Sequence, residues 1–202
     1  MSEIRNITCD KQNQYFFTAG SNTDGLHYKN SLLQWSLKTD TLIKKYSNVI
    51  ANSISCLFVD YDNSSIFVGD IDGNFCKVSL ENSEDKSNIV EDFVVCSHHR
   101  KSINIIIGVR DNLPVIRYLF TNGQFMNINK WDATIKRCVQ VIKPFQGSLN
   151  SKIMMIHSPD EKYLLYAKKG AMYEWNLQEN SGKKILDSGL ISNATINAFA
   201  IF

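Results

Sequence analysis

The stretch VGDIDGNFCKVSL, from Val68 to Leu80, sets a glycine and an Asp-Gly pair between two short apolar runs. Asp-Gly between β-prone residues favours a tight hairpin, because glycine reaches positive φ without a steric penalty. The stretch reads as strand, turn, strand. If that hairpin recurs along the chain, the fold is a repeat architecture, and a fixed period is the first thing to look for.

It does recur. SLLQWSLKTD begins at Ser31, NINKWDATIK at Asn127 and GAMYEWNLQE at Gly170. Each is a short strand ending in an aromatic or apolar residue, followed by a polar turn. The shared position is Trp35, Val78, Trp131 and Trp175, with gaps of 43, 53 and 44 residues. Isoleucines that open β-rich runs give a second series: Ile4, Ile54, Ile103, Ile153 and Ile196, spaced by 50, 49, 50 and 43. Each of the first four runs reaches a turn holding an acid: Asp10, Asp60 with Asp62, Asp111, and Asp160. Such residues favour turns because their side chains bond the nearby backbone. Then come YFFTAG from Tyr15, IFVGD from Ile66, IRYLFTNG from Ile116 and YLLYAKKG from Tyr163, each ending near a glycine. A fourth strand closes each unit: TLIKKY, IVEDFVVC, CVQVIK and KKILDSG.

Helical periodicity is scarce. The expected fold is all-β, with about four four-stranded antiparallel units at 3–50, 53–98, 102–148 and 151–191. NATINAFAIF, within 193–202, reads as the first strand of a fifth.

Four strands per unit with Trp ending the third resembles a WD40 repeat, one blade of a β-propeller. Within GDIDGNFCKV, Asp72-Gly73 precedes Val78, where that family prefers Trp. His99 stands four residues before Ile103, a spacing similar to the family's Gly-His element. The resemblance implies a structural network of His99, Thr121, Asn122 and Trp131, with Asn122 in place of the family's Asp. Trp-Asp itself occurs at Trp131-Asp132. GAMYEWNL is similar to the last blades of WD-repeat proteins associated with cilia and flagella. LLQWSLKTDTLIKKY is similar to the long WD-repeat arrays of ciliates. A WD40 ring usually needs about seven blades, so the resemblance implies an incomplete propeller over 1–202, with open blade edges.

The bulk numbers fit a soluble globular domain: 44 % apolar, 21 % charged, formal net charge +2. So small a charge, with the basic residues scattered, gives no footprint for nucleic acid or an anionic membrane. No apolar run approaches the ~18 residues of a membrane span. MSEIRNITCD lacks the basic and apolar regions of a secretory signal. Five cysteines, odd in number and without C-x-x-C, suit reduced thiols in the cytoplasm. On that location the sequons at Asn6, Asn63 and Asn193 are chance matches.

Chemistry-bearing constellations are thin. His98-His99 is the best metal pair by composition, yet adjacent strand residues point to opposite faces and no Cys or carboxylate cluster completes a site. Cys96 lies close to His98, with poor geometry for a nucleophile and base and no oxyanion donor. His27 and His157 have no partners in sequence, and His157 reads as a turn residue. The acids Glu81, Glu84, Asp85, Glu91 and Asp92 read as a solvated linker. Phe16, Phe17, Phe67 and Tyr163 read as equivalent core positions. No phosphate-binding glycine loop or nucleophile elbow occurs.

The expected function is therefore a non-catalytic scaffold for protein–protein interaction, with no cofactor and no metal. Its partners are proteins, and self-association or ring completion through open blade edges goes with them. Two long connections, SNTDGLHYKN from Ser21 and ENSEDKSNIVED from Glu81, are the places to look for binding. The alternative is a propeller enzyme or sensor domain cut from a larger protein. The innermost strands ISCLFVD, INIIIGV and KIMMIHS are apolar, which disfavours an active site in a central channel.

Overall fold

A computed structural model describes residues 2–9, 14–24, 27–47, 49–60, 62, 64–80, 90–92, 102–123, 127–143, 153–168 and 171–187. Among them every regular element is a strand. Sixteen strands form four antiparallel sheets of four, each a simple meander. The first sheet is β1 Ser2–Cys9, β2 Tyr15–Asp24, β3 His27–Ser36 and β4 Leu42–Tyr46. The second is β5 Ile54–Asp60, β6 Ser65–Asp70, β7 Phe75–Ser79 and β8 Val90–Asp92. The third is β9 Ile103–Val109, β10 Tyr118–Gly123, β11 Ile128–Asp132 and β12 Arg137–Ile142. The fourth is β13 Met154–His157, β14 Tyr163–Lys168, β15 Ala171–Asn176 and β16 Ser181–Asp187. The chain divides into two compact units, Met1–Ile106 and Ile107–Phe202.

The four meanders share one register. Trp35 pairs with Phe16, Val78 with Ile66, Trp131 with Leu119 and Trp175 with Leu164. Each is the penultimate residue of its third strand facing the second residue of its second strand. Two residues on, one backbone bond recurs. Leu37 N–H donates to Gln14 O (2.9 Å), Leu80 to Ser64 (2.6 Å), Ala133 to Arg117 (2.9 Å) and Leu177 to Lys162 (2.9 Å). A one-residue slip would turn every side chain to the other face, so this agreement fixes which residues face the core in all four sheets.

Bulges recur too. The pairing slips between Ile4 and Asn6 in the first sheet and between Ile54 and Cys56 in the second. It slips again before Trp35 and before Trp131, against the fourth strands. An extra residue there bends the strand and deepens its twist.

In the first unit, Phe17, Ala19, Leu32 and Tyr46 pack with Ile54, Val59, Ile66, Val68 and Val78. The second sheet thus lays its first strand on the face of the first. Gly69 makes the next close approach: a Cβ there would meet Cys56 Sγ at 2.7 Å and Ile103 Cβ at 3.2 Å. Ser55 Oγ donates to Ile103 O over 2.6 Å beside it. In the second unit the buried side chains include Leu119, Phe120, Ile128, Trp131, Ile153, Leu164 and Tyr166.

Several expectations need correction. The Ser21 connection is not a loop: Ser21–Asp24 extends β2 and His27–Asn30 extends β3, with Asp24 paired to His27. A continuous ladder satisfies the backbone groups that a long loop would leave to water. Glu91 and Asp92 belong to β8, opposite Lys77 and Cys76, and not to a linker. Phe16 is equivalent by register to Ile66, Phe17 to Phe67, and Tyr163 to Tyr15, so those aromatics mark three positions and not one. His157 ends β13 opposite Leu164, inside the ladder. Ile4 pairs with Gly20 as Ile54 pairs with Asp70, yet Ile4 is 65 % exposed and Ile54 only 1 %. The difference is the covering layer, which Ile54 has and Ile4 lacks among the described residues. Residues 81–89 and 193–202, with Cys96, His98 and His99, lie outside the described residues.

Candidate functional site

The repeat positions separate into structural clasps. Trp131 is fully buried and its Nε1–H donates to Thr121 Oγ1 over 2.8 Å. Trp35 Nε1–H donates in the same way to Thr18 Oγ1 over 2.9 Å. Thr18 and Thr121 each stand two residues after the strand residue that pairs with the Trp, on the same face of the sheet. In the second sheet the pair is Val68 and Val78, apolar on both sides. In the fourth it is Tyr166 and Trp175, and Gly182 fits beneath the indole, where a Cβ would meet Trp175 Cε3 at 2.6 Å. Asn122 is buried and its amide Nδ2–H donates to Asn127 O over 3.1 Å.

The Asp-Gly turn is organised by Asp70, two residues before Asp72. Asp72 is exposed, and its backbone N–H donates to Asp70 Oδ1 over 2.9 Å. Asp70 is fully buried. It also accepts from Asn74 N (2.8 Å), Asn74 Nδ2 (2.8 Å) and Asn52 Nδ2 (3.4 Å). Gly73 has φ 93°, which an L side chain would resist. In the sequence Asp70 is legible only as an Asx pattern, an acid two and four residues before the amides it accepts.

A cleft of about 660 Å³ lies in the second unit. Its rims are two turns: Arg110–Leu113 after β9 and Pro159–Lys162 after β13. Its wall is one face of the third sheet, carrying Tyr118, Phe120 and Lys130. Phe120 and Lys130 are direct cross-strand partners and Tyr118 is two residues from Phe120, so the pleat brings all three to one side. The Lys130 ammonium sits 3.9 Å from the Tyr118 ring centroid and 6.0 Å from that of Phe120.

Charge in the cleft is mostly paired. Arg117 bonds Asp111 at 3.1 Å, Lys162 lies 3.5 Å from Asp160, and Arg110 3.8 Å from Glu161. Glu161 also fixes the opposite rim, accepting from Arg110 N over 2.6 Å and Asp111 N over 3.3 Å. Asp111, Asn112 and Glu161 hold left-handed backbone with φ 53°, 63° and 56°. Those conformations are sparsely populated for non-glycine residues, so the surrounding bonds specify the rims. Asp160 is held below the ordinary carboxyl range first by the Ser158 hydroxyl and then by Lys162 N–H. Lys130 is pushed below the ordinary lysine value chiefly by burial, with Asp111 pulling the other way.

Sequence reading missed this cleft because its parts come from distant turns. A lysine one residue before Trp131 was no signal, because Lys77 holds the equivalent place in the second sheet. Among the described residues no group of three His, Cys, Asp or Glu is placed to hold a metal ion. No helix of the described residues is long and apolar enough to cross a membrane. No protein-family model matches the chain. No curated protein matches it either.

Proposed function

We propose that this chain is a WD40-like β-propeller fragment acting as a non-catalytic scaffold for protein–protein interaction. One observation supports it above the rest: the register of the Trp35, Val78, Trp131 and Trp175 positions, repeated in all four meanders with the same flanking backbone bond. Repeated sheets of this kind hold turns rigidly at their ends, and turns on a rigid frame are what partners read. The polar side chains on the frame serve the frame, as the indole–threonine bonds and Asp70 illustrate. Fold alone does not assign activity, so the reading stands on the surface that the turns offer.

The partner is a protein, in a cytoplasmic setting that is cytoskeletal or ciliary by the likeness of its last unit. Exposed Ile4 and Ile7 on β1 add self-association or ring completion to the same reading. The test is to capture a partner with the tagged full chain and rebuild the complex from purified components. A complex of fixed stoichiometry by sedimentation is the expected result. Failure of every captured protein to rebind when purified would overturn the scaffold reading.

A further inference from the structure

Among the described residues, Lys130 is the one cation of the cleft lining that has no carboxylate of its own. Asp111, Asp160 and Glu161 are each closed by Arg117, Lys162 and Arg110. The remaining acid near it, Asp132, caps its own turn by accepting from Thr134 N at 2.9 Å and Ile135 N at 3.1 Å. The contacts of the Lys130 ammonium are ring faces, Tyr118 at 3.9 Å and Phe120 at 6.0 Å. Aromatic faces attract a cation but leave its N–H groups without acceptors. A half-buried ammonium with donors to spare is poised to receive an anion.

The identity of that anion follows from the surroundings. One uncompensated positive charge matches one carboxylate. A phosphate brings close to two negative charges and favours a fork of arginine donors. Arg110, the lining arginine, is ion-paired with Glu161 at 3.8 Å, so a phosphate would compete with that carboxylate for it. Val109, Leu113, Pro159 and Leu177 line the same space, so the ligand carries apolar groups beside its acid. The Arg110–Leu113 and Pro159–Lys162 turns, joined through Glu161, line the same space as the Tyr118, Phe120 and Lys130 face.

We propose that this cleft binds a peptide segment of a partner protein, with a Glu or Asp side chain seated on Lys130 and apolar neighbours against Tyr118 and Leu113. The assignment rests on the scaffold reading and names where on the second unit such a partner docks.

The test uses the full chain and its Lys130→Met variant, which keeps the aliphatic stem and removes the charge. Random peptides are selected for binding to the wild type, then resynthesised with amidated C-termini. The expected result is enrichment of Asp or Glu beside apolar residues, with binding about tenfold weaker to Lys130→Met, a difference of about 1.4 kcal/mol. Lys130→Arg should restore most of it, and Asp111→Asn should tighten binding about twofold by removing a nearby negative charge. The Asp111→Asn arm needs no loss of function, so it holds even if Lys130→Met folds poorly. Peptides without acidic enrichment, or equal binding to Lys130→Met, would overturn the cleft assignment and leave the scaffold reading intact. Binding lost on amidation would place a chain terminus, and not a side chain, on Lys130 and would likewise overturn it. A selection yielding no binder overturns the assignment too, and the scaffold reading then depends on the reconstitution experiment alone.

Discussion

Trp131 and Thr121 are joined across two strands by an indole-to-hydroxyl hydrogen bond of 2.8 Å with both residues fully buried. The same bond, at 2.9 Å, joins Trp35 to Thr18 where the indole is half-buried. Thr121→Val keeps the shape and strands a buried N–H, which costs about 1–3 kcal/mol. Thr18→Val should cost less, because water reaches the Trp35 edge. Urea denaturation of both variants checks the order, and a larger loss for Thr18→Val would contradict it.

Asp70, and not Asp72, holds the turn that follows β6. Asp70→Ala removes the acceptor for three turn donors and Asn52, and should destabilise by about 2–4 kcal/mol as a broken buried network. Asp72→Ala should stay within about 0.5 kcal/mol, as an exposed substitution. Thermal melts of the two variants separate them; equal shifts would return the turn to Asp72.

Ile4 and Ile7 stand 65 % and 67 % exposed on β1, an edge strand of the first sheet. Exposed apolar residues on a strand edge favour pairing between chains. Sedimentation velocity should show concentration-dependent association in the tens of micromolar range, reduced in an Ile4→Lys, Ile7→Thr variant. A wild type that remains monomeric, or association unchanged in the variant, would show that this edge is not the contact.

Alkaline pH should unfold the chain early. Burial lifts the Cys56 thiol from its ordinary 9.0 to about 12, and the hydroxyls of Tyr46 and Tyr166 from 10.0 to about 12. In each case the folded state holds its proton more tightly than the unfolded chain. The stability is therefore whole below pH 9 and falls as pH rises from 9 towards 12, by about 1.4 kcal/mol per unit for each group titrating. Between pH 9 and 10 only Cys56 of the three contributes. Denaturation curves across that interval should be flatter for Cys56→Ala than for wild type, and parallel slopes would contradict the assignment.

The strand plan was legible in the sequence because its markers are periodic. Ile54 and Ile103 open strands as their spacing suggests, and the three tryptophans stand one residue before the ends of third strands. The clasp between Thr18 and Trp35 was hidden because a longer hairpin sets them at a separation of 17 positions, against 10 for Thr121 and Trp131. That length arises from the extended β2–β3 ladder, which the polar run SNTD disguises as a loop. The Lys130 cleft was invisible for another reason. Its rims, Arg110–Leu113 and Pro159–Lys162, lie about fifty residues apart and meet through the Arg110 N to Glu161 bond, which no local pattern encodes.

The scaffold reading depends on four equivalent meanders, and their register can be measured directly. Because Leu37 bonds Gln14, Leu80 Ser64, Ala133 Arg117 and Leu177 Lys162, the alternation of antiparallel ladders makes the next pairs inward non-hydrogen-bonded. Those pairs are Tyr15 with Ser36, Ser65 with Ser79, Tyr118 with Asp132 and Tyr163 with Asn176. Their Hα atoms face each other at close range. In the NMR spectrum of the labelled chain, Hα–Hα cross-peaks are expected for all four pairs. Cross-peaks displaced by one residue in any sheet, or missing from one, would contradict the repeated register and the scaffold reading built on it.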